Sequence, residues 1–228
     1  MTQPELEWDP ATGPGHYAER AAELVDQIEL RDGSTAWVGP LLSGDREDLA
    51  REYETLSPTS RRRRFLASVN CLSPALLDVL VDGVDGVEHV ALVVFVEVED
   101  DPTPVAIGRI VRHTSLPDAA DVGVTVKDAW QGRGIGSALI KLLVASRPAG
   151  VTHLLTEVSD DNPASLALLR SVGTALVHPV GAGVLDVEVD LSGGGSRHTT
   201  PADGARLHPV LTAPGHDQLR RRDRDMGL

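Results

Sequence analysis

Between Val122 and Ala145 an apolar strand, a short hinge, a glycine-rich turn and a helix follow one another without interruption, and this run constrains the fold more than any other stretch of the chain. It reads Val122-Gly-Val-Thr-Val126, then Lys127 to Trp130, then Gln131-Gly132-Arg133-Gly134-Ile135-Gly136. Glycines let a chain turn tightly with its N–H groups bare, and the first turn of a helix adds unpaired donors and the positive end of its dipole. Such a turn cradles phosphate and can hold a diphosphate without a lysine. Ile135, Ala138, Leu139, Leu142 and Leu143 recur at helical spacing and Pro148 stops the helix, so the loop is anchored to a core-facing element. A bare glycine triplet would equally suit an ordinary strand-to-helix turn, so spacing has to decide.

A P-loop requires Gly-Lys-Ser or Gly-Lys-Thr at its end, and the chain has neither. A dinucleotide fingerprint gains some support from Glu157, which ends the next apolar run near the distance of a ribose-binding acid. Its glycine spacing fails, however. Counted from Gly132 or Gly134, the sixth position is Ser137 or Leu139 where glycine or alanine is required, and too little alternating α/β chain follows.

Gln131-Gly-Arg-Gly134-Ile-Gly136 resembles the Gln/Arg-x-x-Gly-x-Gly/Ala pattern of the GNAT superfamily of acyl-CoA N-acyltransferases, and the preceding strand resembles that family's strand. Glu157-Val-Ser-Asp-Asp-Asn162-Pro-Ala-Ser-Leu is similar to the family's later strand, its asparagine and the following helix. The resemblance runs from about Ser34 to Leu191. It implies an α/β (α+β) fold: one GNAT domain with a mixed, mostly antiparallel central sheet flanked by helices.

Composition agrees with one domain. The 228 residues, 41% hydrophobic, can bury one good core, and a domain of about 150 residues with extensions is the natural expectation. We divide the chain into a 1–33 extension, a 34–191 domain and a 192–228 polar tail, expected to be disordered, that opens on Gly-Gly-Gly-Ser. A net charge of −13 argues against nucleic-acid and anionic-membrane partners. The single cysteine, Cys71, rules out a disulfide framework and is expected in the core, and His89, His113, His153 and His178 lack ligand-like spacing, so no metal is expected. An acidic, polar N-terminus and no membrane-length apolar run point to a soluble cytoplasmic protein. Oligomeric state is not legible.

Along the chain, Tyr17 to Leu30 reads as an amphipathic helix and Ser34 to Leu42 as the first strand. Asp45 is expected to cap a helix carrying Leu49, Tyr53 and Leu56, and Ser57-Pro58 and Ser73-Pro74 to open two short helices. Val90 to Val98 and Val105 to His113 form an antiparallel pair with Asp100-Asp101-Pro102 as the turn. Strand Ala120 to Val126, the glycine loop with its helix, and strand Thr152 to Val158 follow. Asn162 caps a helix that Gly173 ends, and strands near Thr174 to His178 and Val184 to Leu191 complete the sheet.

Acyl transfer from a thioester to an amine needs a neutral amine, a donor for the developing oxyanion and an outlet for the thiolate. A lysine-type amine with a reference pKa of ~10.4 is only about one part in a thousand neutral at about pH 7.4, roughly 4 kcal/mol of barrier unless a base takes the proton. The resemblance places the family's general base, most often glutamate, at Asp121, in a stretch similar to the Ala-Glu-Val strand of bacterial protein-lysine acetyltransferases. Aspartate is one methylene shorter and would act through a water or on a closer amine. By the same resemblance Val124, Thr125 and Val126 offer backbone groups to the pantetheine arm and thioester of acetyl-CoA, the cosubstrate, while Gln131, Gly132, Arg133, Gly134, Ile135 and Gly136 hold its diphosphate. Asn162 divides evenly between helix cap and CoA contact.

The family's tyrosine acid is missing from Asn162-Pro-Ala-Ser165-Leu-Ala-Leu-Leu-Arg170, since Tyr17 and Tyr53 are the only tyrosines. Ser165 or solvent is left to protonate the thiolate. Ser57-Pro-Thr-Ser-Arg61-Arg-Arg-Arg64-Phe65 resembles a segment of the same protein-lysine acetyltransferases that borders the acceptor site, although a charge run is more often a solvated face. Protein lysine is the first acceptor implied. A small-molecule amine gains if the Arg61 to Arg64 helix closes over the acceptor site, and a non-catalytic CoA-binding sensor is the reading from another class.

Overall fold

His89 to Val96 are eight consecutive buried residues, a run too apolar for a sheet edge, and they form the middle of the sheet. The computed structural model describes residues 26–99 and 101–193. Its strands are β1 (Asp26–Glu29), β2 (Thr35–Pro40), β3 (His89–Val98), β4 (Asp101–Arg112), β5 (Ala119–Val126), β6 (His153–Ser159), β7 (Thr174–Gly181) and β8 (Val184–Asp190), in spatial order β1-β2-β3-β4-β5-β6-β8-β7. Every neighbouring pair is antiparallel except β5 and β6. The expected mixed, mostly antiparallel sheet with flanking helices is what forms.

Two helical layers cover it. Helices α1 (Arg46–Glu54), α2 (Pro58–Phe65) and α3 (Pro74–Leu77) precede β3, with one π-helical turn at Asp78–Asp82. Tyr53, Phe65, Leu76 and Leu80 from this layer bury with Ala91, Val93 and Phe95 of β3. On the other face α4 (Ile135–Ala145) and α5 (Pro163–Arg170) set Ile135, Leu139, Leu143 and Leu169 against Val94, Val105, Ile110 and Leu154. The serine-proline starts behave as their chemistry dictates: Ser57 accepts the Ser60 N–H and Ser73 the Leu76 N–H, each at 3.2 Å, with proline at the first helical turn.

Several expectations need correction. The part of the Tyr17 to Leu30 helix that is described is strand β1, because Asp26 to Glu29 find partners along Thr35 to Val38 and pairing overrides a short helical pattern. Residues 17–25 of that helix and the tail beyond Gly193 lie outside the described residues. Asp101 and Pro102 belong to β4 opposite Val98 and Glu97, so the β3–β4 turn is tighter than expected. Asp45 sits at the start of α1, but its carboxylate accepts the Leu42 N–H at 2.8 Å and makes no cap bond. Gly173 does not end α5. A Cβ there would lie 2.2 Å from the Asp190 carbonyl oxygen, so glycine serves the close approach of the chain to β8. Cys71 is exposed, since the turn after α2 directs Leu72 into the core in its place.

His89 is buried at the start of β3, where its Nδ1–H donates to the Gly83 carbonyl at 3.1 Å and its Nε2 has no partner among the described residues. Burial, and then Arg109, push its pKa down to about 4. Between an unfolded value of ~6.5 and that folded value the unfolded chain binds a proton that the folded chain does not, so stability falls as pH drops through this window. Urea unfolding is expected to lose about 1–2 kcal/mol between about pH 6.5 and 5, after solvent screening. His89→Asn, which keeps a donor for Gly83, should flatten that loss, and an unchanged slope would place the titration elsewhere.

Candidate functional site

The one parallel pair among the described strands provides the opening. β5 and β6 are paired at Ala119–His153 and Ala120–Leu154 alone and diverge beyond, while β5 remains paired to β4 as far as Val126. Divergence leaves backbone groups along Asp121 to Val126 facing a gap that a linear amide-bearing chain could fill as a strand would. Thr156 bridges the base of the gap with its hydroxyl on the Val122 carbonyl at 3.2 Å.

Beside the open end of β5 lies the glycine turn. Gly132 and Gly134 have φ of +79° and +94°, a region favouring glycine, and Gly134 is the N-cap of α4. The first backbone bond at this end of α4 runs from Ala138 N–H to Gly134 O at 3.1 Å, which leaves the N–H groups ahead of it for an anion. Val124, Thr125, Val126, Gln131, Gly132, Gly134, Ile135, Gly136, Asn162 and Ser165 all line one cleft of about 370 Å³ running from the turn to the gap. A diphosphate with an extended arm fits that chemistry: bare donors at one end, unpaired strand edge at the other.

Individual side chains differ from expectation. Gln131 braces the loop through its amide N–H on the Val126 carbonyl at 3.1 Å. Arg133 turns out of the cleft, stacking 4.3 Å over Trp130 and meeting Asp32 at 3.2 Å. Asn162 caps α5 through the Ser165 N–H at 3.3 Å and also donates to the Ser165 hydroxyl at 2.8 Å, so capping and lining the cleft coexist. Sequence reading missed Arg31, which donates its backbone N–H to Arg133 O at 3.1 Å and its guanidinium to Gly132 O at 3.3 Å. Nothing local signals that contact, because the turn after β1 and the glycine loop are a hundred residues apart in sequence.

Asp121 is 2% exposed and lines the gap between β5 and β6 with Thr156, Val124 and Ser165. Burial raises its pKa, only partly opposed by the Thr156 hydroxyl, Arg64 and His113. A buried carboxyl of raised affinity for protons is suited to take one.

The Arg61 to Arg64 run is paired more than it is solvated, although Arg62 stays exposed. Arg61 folds back to the carbonyls of Leu56 at 2.9 Å and Asn70 at 2.8 Å. Arg62 and Arg63 reach Asp161 after β6 at 3.0 and 3.3 Å, and Arg64 turns inward over the Phe65 ring at 4.8 Å. At the other end of α2, Asp128 takes the Ser57 N–H and the hydroxyls of Ser57 and Ser60 at 2.8–3.0 Å. Burial would raise the Asp128 pKa, but these donors outweigh it and hold it low. Helix α2 is thus tied to the ends of both diverging strands and lies over the gap. Beneath it, on the side facing α1, a smaller chamber is walled by Leu49, Tyr53, Phe65, Leu80, Val93 and Ile107, with Asp45, Asp48, Glu52, Arg64, Arg109 and Lys127 as its charged groups. Among the described residues no cluster of three or more His, Cys, Asp or Glu could hold a metal ion.

Comparison with known proteins bears on the family and the fold. A model of the acetyltransferase (GNAT) family matches residues 57–174. Acetyltransferase Pat of Mycolicibacterium smegmatis is 33% identical over 89% of this chain, which spans 56% of that protein's length. An acetyltransferase of Pseudomonas aeruginosa is 31% identical over 63% of this chain and 77% of its own length. The crystal structure of the GNAT domain of S. lividans PAT superposes with a TM-score of 0.64 at 30% identity, covering 78% of this chain and 99% of that one.

Proposed function

The chain belongs to the GNAT acetyltransferase family, and on that footing we propose that it transfers an acetyl group from acetyl-CoA to the primary amine of a small molecule. The observation that carries this reading is the gap between β5 and β6, open to the glycine cradle at one end and holding Asp121 at its base. The diphosphate rests on the N–H groups of Gly132 to Gly136, and the pantetheine arm lies along Val124 to Val126. The amine nitrogen attacks the thioester carbon, the C–S bond breaks, and the amine proton passes to Asp121, directly or through one water. A backbone N–H of the Val124 to Val126 edge donates to the oxyanion as it forms.

Among the described residues no tyrosine is placed to protonate the thiolate. Tyr53 faces the chamber on the α1 side and donates its hydroxyl to the Val69 carbonyl at 2.8 Å. A leaving thiol with a reference pKa near ~8.5 asks little of an acid, so water or Ser165 suffices.

Helix α2, held to Asp128 and Asp161, lies over the gap, and this favours a small acceptor over a folded protein. Protein lysine is the second reading, supported by the resemblance of Ser57 to Phe65 and Ala120 to Gly136 to bacterial protein-lysine acetyltransferases. Thiol release from acetyl-CoA in the presence of small primary amines, lysine peptides and lysine-rich proteins tests both. Small amines should exceed lysine proteins in kcat/KM by about tenfold or more. The reverse ranking supports protein lysine, and acetyl-CoA binding without thiol release supports a sensor.

A further inference from the structure

Two arginines lie where an apolar layer should exclude charge. Arg109, on β4, is 2% exposed, and its recorded hydrogen bond is Nη1–H to the Leu80 carbonyl at 3.0 Å. Arg64, on α2, is half-buried, with its guanidinium close enough to β5 that a Cβ on Gly123 would lie 3.4 Å from its Cζ. Arg64 makes no hydrogen bond to a described residue. It lines the chamber, the gap and the cleft alike.

A guanidinium carries five N–H donors and does not escape burial by losing its proton. Enclosed arginines therefore bring a carboxylate with them. Asp121 is the carboxylate that acts on both, and it lies in the gap beside Thr156 and the Val122 N–H, not in the chamber. The chamber's other acids are engaged: Asp45 with the Leu42 N–H, Asp48 with Arg51, Glu52 with Lys127. His89, which Arg109 helps to keep neutral, adds no negative charge. Two guanidinium groups thus line a chamber whose own acids, Asp45, Asp48 and Glu52, already have partners, and among the described residues the two arginines make one hydrogen bond in all.

We infer that Arg64 and Arg109 form a carboxylate-recognition subsite at the inner end of the chamber under α2, and that one of the two reactants carries the carboxylate. The planar fork of a guanidinium matches a carboxylate edge, and the small apolar chamber suits a short aliphatic carboxylate better than a bulky phosphate ester. Two sources share this chemistry: an amine acceptor with its own carboxylate, or a donor whose acyl group ends in one. The subsite stands on geometry alone, whereas its use by a reactant rests on the acyl-transfer reading.

Calorimetry and thermal shift on the full chain test the subsite with butyrate, against butylammonium of equal length at matched ionic strength. Butyrate should bind and raise the melting temperature, and butylammonium should do neither. Arg109→Gln should weaken butyrate about tenfold or more, with Arg109→Lys in between, and leave acetyl-CoA affinity within about twofold because Arg109 does not line the cleft. Turnover then separates the sources. A preference for 4-aminobutyrate over butylamine with acetyl-CoA, lost in Arg109→Gln, assigns the carboxylate to the acceptor. A preference for succinyl-CoA over acetyl-CoA, lost in the same variant, assigns it to the acyl group. Absence of butyrate binding to the wild type overturns the subsite, and equal kcat/KM within both pairs overturns its use. Butyrate binding without thiol release from any donor upholds the subsite and overturns the acyl-transfer reading.

Discussion

Replacing Asp121 with asparagine is expected to lower kcat by about 10²–10⁴-fold, the range that a positioned base contributes, while acetyl-CoA affinity changes by no more than about twofold. The carboxyl is buried at the base of the gap and away from the glycine cradle, so losing its proton affinity should touch the chemistry and spare the donor. Burial raises its pKa, and Thr156 and Arg64 only partly restore it. Activity requires the deprotonated form. The acidic limb of kcat should therefore rise with pH above the ordinary aspartate value of ~3.9, and the limb should vanish in Asp121→Asn. Glutamate at 121 distinguishes a base from a structural acid, because it restores a carboxylate with one more methylene and should recover part of the rate. An asparagine variant of wild-type kcat removes Asp121 from the mechanism.

The second large effect is expected at Gly134. Its φ of +94° and its place as N-cap of α4 put any side chain into the mouth of the cradle, where a Cβ would lie 3.4 Å from Arg31 Cγ. Gly134→Asp adds a negative charge where two phosphates must sit. A like-charge contact at ~4 Å is worth about 4 kcal/mol at an effective dielectric constant of ~20, so acetyl-CoA affinity should fall by about 100-fold or more. The left-handed backbone adds about 1–2 kcal/mol of strain, which lowers the melting temperature without unfolding the protein. Gly134→Ala carries the strain without the charge and should weaken binding far less. Equal losses in calorimetry for alanine and aspartate would mean that the loop's shape, and not its field, holds the ligand.

What the sequence made legible was local. The glycine spacing, the apolar period of α4 and the serine-proline and asparagine-proline starts each act within a few residues, and each forms as its chemistry dictates. Contacts that close over long loops were not legible. Asp128 meets Ser57 across 71 residues and Asp161 meets Arg63 across 98, and neither aspartate differs in sequence from an ordinary turn acid. An arginine run therefore reads as a solvated face although three of its side chains bind carbonyls or Asp161 and the fourth turns into the protein. Strand β1 was hidden for a related reason: its residues carry a helical apolar pattern, and only pairing with β2 makes them extended. The glycine loop was legible from its own spacing, and Asp121 was singled out only through the resemblance of its strand to a known family. Arg109 was not legible, since a lone arginine in a strand does not reveal which layer it faces.

Amide hydrogen exchange with and without acetyl-CoA tests the central claim most directly, because it reads the donor's position at backbone resolution without requiring an acceptor. Binding should slow exchange at Gly132 to Ser137 and along Val124 to Val126, and leave the amides of β1 and β7 unchanged. Exchange unaltered in both segments while acetyl-CoA is bound would contradict the account, for the ligand would then lie outside the gap and cradle on which every step depends.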